Sequence, residues 1–243
     1  MAVSYGNFNS VAGALTEIGR QKVNDLCIVR NGLVLNIDAG DTRSYSGSGN
    51  TCTDLSSNMF TGTLNNGVTY STDNGGSFIF DGVNDYISIP SNTALNPTLD
   101  MTVSCWAYLT GFKTALSLFG KGAGVSGQGG YDFRVDSATQ LNLVKYYIID
   151  QTVTVPTISL NTWYNFAAVQ GSTSVAYYIN GVYANTFSNS VAYQTPIADM
   201  AIGKSRLTVY AGGKINNVLK YNRQLTAAEI QQNFNATRWR FGI

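Results

Sequence analysis

Residues 174–187, SVAYYINGVYANTF, set two runs rich in Val, Tyr and Ala on either side of Asn180-Gly181. Asn-Gly between β-forming runs is a strong hairpin signal, because a type I′ turn needs positive φ at both central residues. The same texture extends outward in both directions. MTVSCWAYL (101–109) alternates Val103, Cys105 and Ala107 against Thr102, Ser104 and Trp106, as a half-buried strand does. LVLNIDAG (33–40) reads as a buried strand, and the polar DTRSYSGSGNTCTDLSSN (41–58) as a loop. GTLNNGVTYS (62–71), SFIFDG (77–82) and YISIP (86–90) are short strands parted by Asn-Gly and Gly-Gly turn signals. TALSLFGK (114–121), YDFRVD (131–136), QLNLVKYYI (140–148) and TWYNFAAVQ (162–170) continue the series. About a dozen such strands with frequent turns predict an all-β fold, an antiparallel sandwich or jelly roll.

Two segments break the β pattern. In YNRQLTAAEIQQNF (221–234), Thr226 and Glu229 have capping-box spacing, and Leu225 and Ile230 that of a hydrophobic staple. This predicts one short C-terminal helix whose apolar face, Ala227, Ile230 and Phe234, packs against the sandwich edge. Near the start, SVAGALTEIGRQKVN (10–24) has helix-compatible apolar spacing weakened by Gly13 and Gly19. The expected organisation is an N-terminal arm or helix over 1–32, a sandwich over 33–235 and a tail over 236–243.

Composition narrows the function. The 243 residues carry Lys+Arg 15 against Asp+Glu 14, a net charge of +1, which offers no electrostatic reason for a nucleic-acid or anionic-membrane partner. No apolar run approaches the roughly 18 residues of a membrane span. Cys27, Cys52 and Cys105 are odd in number and lack CxxC spacing, against a disulfide framework or a zinc site. The N-terminus has no basic-then-apolar order, so synthesis in a reducing cytosol without a signal peptide is expected.

Catalytic signals are thin. Glu17 and Glu229 are the only glutamates, and each has a local explanation, whereas ordinary glycoside hydrolysis needs two carboxylates roughly 5–10 Å apart. The absence of histidine excludes Ser-His and Cys-His nucleophile systems and His metal ligands. GAGVSG (122–127) matches G-x-G-x-x-G, but a strand follows where a dinucleotide site needs a helix.

FDGVNDYISIP (80–90), TVSCWAYL (102–109), TWYNFAAVQGSTSVAYYINGVY (162–183), MAIGKS (200–205) and GKINNVLKYNRQLTAAEI (213–230) occur in this order. Together they resemble the laminin-G-like, concanavalin A-like domains over residues 33–235. That resemblance implies a two-sheet jelly roll closed by a terminal helix. GLVLNIDAGDTRSY (32–45) and NATRWRFGI (235–243) look like the versions in tailed-phage structural proteins. The resemblance also implies a rim Ca²⁺ site, for which Asp81, Asn84 and Asp85 are the candidates, oxygen ligands suiting a hard cation. Against it, Asn216 and Asn217 stand where relatives carry acids, and Asp81-Gly82 with Asn84-Asp85 equally makes an Asx turn.

A sugar site needs an exposed aromatic face and a few amides or carboxylates; Tyr45, Tyr131 and Tyr193, in or beside expected loops, are the candidates. Trp106 and Trp163 are assigned to packing. The tail residues Arg238, Trp239, Arg240 and Phe241 either seal their own sandwich or anchor a neighbouring subunit. The reading favoured is a non-enzymatic virion structural protein, a capsid decoration or tail/fibre component. It would form a homo-oligomer such as a trimer, contact other virion proteins and adhere to glycans, with no cofactor unless calcium binds. A soluble carbohydrate-binding lectin is the alternative, and a glycoside hydrolase is disfavoured.

Overall fold

The computed structural model describes residues 27–122, 129–146, 148–188 and 196–243. In chain order the first strands are β1 (Leu33–Ile37), β2 (Thr51–Thr53), β3 (Thr61–Asn65), β4 (Thr69–Ser71), β5 (Ser77–Asp81) and β6 (Tyr86–Ile89). Next come β7 (Met101–Leu109), β8 (Ser117–Gly122), β9 (Gly130–Ser137), β10 (Gln140–Lys145) and β11 (Thr152–Thr154). The last are β12 (Trp163–Gln170), β13 (Ser174–Ile179), β14 (Val182–Ser188), β15 (Met200–Ile202) and β16 (Gly212–Tyr221), followed by helix α1 (Ala227–Thr237).

They form two antiparallel eight-stranded sheets, the all-β sandwich that the strand pattern predicts and the two-sheet jelly roll that the resemblance implies. The first runs β14-β13-β12-β7-β16-β5-β4, with β1 also on β16; the second runs β11-β10-β9-β8-β15-β6-β3-β2. Strand β2 lies inside the stretch expected to be loop throughout. The Asn180-Gly181 hairpin forms as read, with φ of 51° and 76° at its two central residues. Asn66-Gly67 behaves differently: it joins β3 to β4, which belong to opposite sheets, so this turn signal marks a corner of the sandwich rather than a hairpin.

Between the sheets, Val103, Cys105, Ala107 and Phe166 of the first meet Phe119, Phe133, Leu143 and Ile202 of the second. Strand β7 is buried on both faces rather than half-buried, because the outer face of the first sheet is apolar too. Ala167, Val169, Leu219 and Tyr221 form a second cluster there with Leu225 and Ile230, and Trp106, Trp163, Phe234 and Phe241 a third. Helix α1 therefore lies on the outer face of the first sheet, not on the sandwich edge. Ile230 and Phe234 face inward as expected, whereas Ala227 is exposed and Asn233, Ala236 and Thr237 are buried instead.

The helix start is built as its sequence specifies. Thr226 accepts from the Glu229 N–H at 3.3 Å, and Glu229 accepts from the Thr226 N–H at 2.9 Å. Leu225 and Ile230 share one apolar cluster. Arg223 adds a fork of hydrogen bonds to Glu229 at 2.6 and 2.9 Å, and this guanidinium holds the Glu229 carboxyl down at about 2.

Residues 27–32, placed in the arm by the sequence reading, pack beneath this helix. Asn233 accepts the Val29 N–H and donates to the Tyr221 hydroxyl, which itself donates to the Val29 carbonyl. The rest of the expected arm, 1–26, lies outside the described residues. At the centre of the first sheet, β16 pairs with β5 through its first half and with β1 through its second. Asn216 and Asn217 sit at that junction: Asn216 donates to the Gly76 carbonyl, and Asn217 to Asn36 Oδ1 and Asp38 Oδ2.

Candidate functional site: a cleft on the second sheet

Among the described residues, no helix covers the outer face of the second sheet. Alternation fixes what is displayed there: Ile87 and Ile89 of β6 enter the core, so Tyr86 and Ser88 point out. Ser88, Ala201, Gly120 and Asp132 stand opposite one another across β6, β15, β8 and β9. The glycine at 120 and the small alanine at 201 leave a depression, bordered by Lys204, Ser205, Arg206 and Thr208 of the segment after β15. The result is a cleft of about 340 Å³ lined by Tyr86, Ser88, Tyr146, Asp199, Lys204 and Arg206 among others.

Each lining group is held by a nameable contact. Lys204 Nζ lies 4.2 Å from the centre of the Tyr86 ring and 5.7 Å from that of Tyr210. The Arg206 guanidinium carbon lies over the Tyr146 ring, 4.6 Å from its centre, and the Arg206 backbone N–H donates to the Tyr146 hydroxyl at 3.3 Å. The Tyr146 ring lies against Gly122, where an added Cβ would meet ring carbons at 2.3 Å, so only glycine fits beneath it. Asp199 accepts the Ser91 N–H at 2.8 Å.

Beneath Tyr146 is a buried polar network. The Tyr146 hydroxyl donates to Asp132 Oδ2 at 2.5 Å, Ser117 donates to Asp132 Oδ1, and Arg134 Nε stands 3.5 Å from Oδ2. Burial pushes the Asp132 carboxyl up to about 7, against the opposing pull of Arg134, Ser117 and Tyr146. Asp132 acts on the cleft only through Tyr146, its own side chain being fully covered.

The tyrosines singled out in the sequence fall elsewhere. Tyr45 is buried, its ring against Tyr70 and Phe78 and its hydroxyl donating to the Gly49 carbonyl. Tyr131 is fully buried on the inner face of β9, in phase with Phe133 and Val135. Neither offers a ring face to a ligand, and Tyr193 lies outside the described residues. The aromatic that does stand at a cleft, Tyr86, was in plain view: its parity with Ser88 against Ile87 and Ile89 places it outside.

The calcium candidates form a turn. Asp81 Oδ1 accepts the N–H groups of Val83, Asn84 and Asp85 at 2.7, 3.2 and 3.4 Å, and Asp85 Oδ2 accepts that of Asp81 at 3.1 Å. These bonds, that from Val83 foremost, lower the Asp81 carboxyl, while burial raises that of Asp85. One oxygen of each carboxylate is thus held by backbone donors, Asp85 Oδ1 has no hydrogen-bond partner among the described residues, and Asn216 and Asn217 are bonded into the sheet junction. No cluster of three or more His, Cys, Asp or Glu side chains among the described residues is placed to hold a metal ion.

In the tail, Phe241 is buried in the outer cluster and Arg240 Nη1 donates to Asp38 Oδ1 at 2.7 Å, so both serve their own domain. Trp239 projects outward, 68% exposed, beside the exposed Arg238.

Comparison with known proteins agrees with this architecture. The laminin-G-type profile of the concanavalin A-like lectin/glucanases superfamily matches residues 81–231, and the chain belongs to that superfamily. Among solved structures, it resembles domain 4 of AbnA, an extracellular GH43 arabinanase from Geobacillus stearothermophilus, in complex with arabinotriose. The identity is 19% over 83% of this chain and 97% of that one, with a TM-score of 0.67. The binding domain of Paraclostridial Mosquitocidal Protein 1 follows at 15% identity, 85% and 52% coverage and a TM-score of 0.65. Trypanosoma rangeli sialidase aligns at 15% identity over 95% of this chain, with a TM-score of 0.64. This chain spans about half of the former and 39% of the latter. At such identities the likeness shows the fold alone. No curated protein sequence matches the chain.

Proposed function

We propose that the chain is a non-enzymatic, carbohydrate-binding sandwich that takes a sugar in the cleft between Tyr86, Lys204 and Arg206. The cleft itself carries this reading. Sugar recognition needs a ring face for the apolar side of the pyranose or furanose, and fixed polar groups for its hydroxyls. Tyr86 supplies the first; Ser88, Asp199, Ser205 and Thr208 supply the second. Hydrolysis through paired carboxylates has less support, since Asp199 is the one carboxylate among the lining residues. The arabinotriose complex of the AbnA domain supports a sugar as a ligand class for this fold.

Substituting Ala201→Trp fills the floor of the cleft from a solvent-facing strand position. On an immobilised glycan panel, we expect the wild-type chain to bind and A201W to lose about tenfold or more in affinity. Its melting temperature should be unchanged. Equal binding by both proteins would overturn the placement of the site.

We further propose that the domain is displayed on a virion, as a capsid decoration or tail/fibre component, docked through the surface around Trp239 and Arg238. The exposure of that tryptophan favours this reading, because Trp and Arg are enriched at the anchors of protein interfaces. A closed homo-oligomer such as a trimer suits particle symmetry. Quantitative mass spectrometry of gradient-purified particles tests the setting. Hundreds of copies per particle indicate decoration, a few to some dozens indicate a tail or fibre, and absence from particles overturns the proposal.

A further inference from the structure

The cleft opens onto a row of hydroxyls. Thr51, Thr63, Ser88, Ala201 and Gly120 stand in register across β2, β3, β6, β15 and β8, joined by four successive antiparallel pairings. Cys52, Leu64 and Ile87 of these strands enter the core, so the alternate positions Thr51, Thr63 and Ser88 face outward, on the side of the cleft. Paired strands lie about 4.8 Å apart, so the row measures about 19 Å from end to end. The cleft occupies only its β6–β15–β8 end. Where the two meet, Asn65 Nδ2 donates to the Ser88 hydroxyl at 3.0 Å and to the Thr63 carbonyl at 2.8 Å, which leaves the Ser88 proton to be donated onward.

The outward positions of β2, β3, β6 and β15 carry hydroxyl, amide and methyl groups and the ring of Tyr86, with no charge among them. The charged outward residues of this sheet, Asp132, Arg134 and Asp136, all stand on β9. A nucleic acid would therefore find no cation along the row. A protein partner would find no apolar anchor there, since none of the large exposed hydrophobic side chains lies on β2, β3, β6 or β15. Neutral, closely spaced hydroxyls suit a ligand that itself presents hydroxyls at regular intervals. We propose that the row extends the cleft into a track for an internal stretch of a linear polysaccharide, about three to four units long. One unit lies in the cleft, and the following units cross β6, β3 and β2, bonded to the hydroxyls of Ser88, Thr63 and Thr51. This rests on the carbohydrate-binding reading and names its ligand as a chain rather than a terminal sugar.

Titration calorimetry on the full chain tests it with three neutral linear series: arabinose to arabinopentaose, galactose to galactopentaose and glucose to cellopentaose. In a series that binds, the trisaccharide should bind about tenfold or more tighter than the monosaccharide. Affinity should level off beyond about four units, where the row ends. The double variant Thr51→Val, Thr63→Val removes two hydroxyls and keeps two strand-forming side chains, so the melting temperature should hold. Its trisaccharide-to-monosaccharide affinity ratio should fall close to one, the loss of two hydrogen bonds amounting to about tenfold. Equal affinity for monosaccharide and trisaccharide would mean that the cleft holds a chain end, overturning this inference and leaving the carbohydrate reading standing. A chain-length gain that survives the double substitution would run the chain in another direction and overturn the inference as well. Binding on the glycan panel confined to short or branched sugars would overturn this inference alone, and binding of no sugar in either experiment would overturn both.

Discussion

Substituting Phe241→Ala should lower the unfolding free energy by about 3–4 kcal/mol, near the lower end for removing a buried aromatic. Phe241 is close to the end of the chain, where truncations are usually tolerated, yet it closes the outer face of the first sheet. Its ring stacks on Trp106 at 4.0 Å and 22° and tilts against Trp163 at 4.6 Å. Trp106 is in turn capped by Phe234 at 5.6 Å and donates from Nε1 to the Thr237 hydroxyl at 2.8 Å. Losing Phe241 therefore bares one face of a fully buried tryptophan. The neighbouring substitution Trp239→Ala is the internal contrast: that side chain is largely in solvent, and its removal should change stability by no more than about 0.5 kcal/mol. Urea unfolding of both variants checks the pair. Equal losses would mean that the tail acts as one unit rather than through Phe241.

The second large effect has the opposite sign. Lys220→Met should stabilise the protein at pH 7 by about 1–3 kcal/mol. Lys220 stands on the inner face of β16, between Leu35 and Val103, fully buried, and its Nζ has no hydrogen-bond partner among the described residues. Burial, together with repulsion from Lys121 in the facing sheet, lowers its pKa from 10.5 to about 8. Below pH 8 the amine is charged in the folded and unfolded states alike, and the whole penalty of about 3 kcal/mol is present. Between pH 8 and 10.5 the folded chain has shed a proton that the unfolded chain keeps, so this lysine makes stability climb with pH across that window. Methionine, of similar length and without charge, should remove both the penalty and the climb. Denaturant midpoints measured at pH 7, 9 and 10.5 decide it. A variant less stable than wild type at pH 7 would mean that the amine has a favourable anionic partner in solution.

Much of this architecture was legible in the sequence because its signals are local. Asn180-Gly181 fixes a hairpin by backbone geometry alone, and Thr226 with Glu229 fixes a helix start through two reciprocal hydrogen bonds. Ile87 and Ile89 similarly declare which side of β6 is core. What escaped depends on contacts distant in sequence. Nothing near Trp106 announces that a helix more than a hundred residues later will cover it, so β7 reads as half-buried. Asn66-Gly67 looks like any hairpin turn until β3 and β4 are assigned to different sheets. Tyr131 was misplaced for a different reason: it shares the parity of Phe133 and Val135, and its nearness to an expected loop hid that phase. Lys204 and Arg206 gave no signal at all, because a short loop after a strand says nothing about the cleft it borders until the sheet exists beneath it.

The position of β16 also bears on how the chain reaches this state during synthesis. This strand lies at the heart of the first sheet, joining β7 on one side to β5 and then β1 on the other, and Arg240 bonds to Asp38 across 202 positions. Until the ribosome has released residues 212–241, β1 has no strand to pair with, β5 has only β4, and Trp106 lies bare. Loop closures of that span are slow and leave strand edges open to other chains in the meantime. Nascent chains halted before Gly212 should accordingly be protease-sensitive and prone to associate, and the domain should fold in a single late step rather than strand by strand as it emerges.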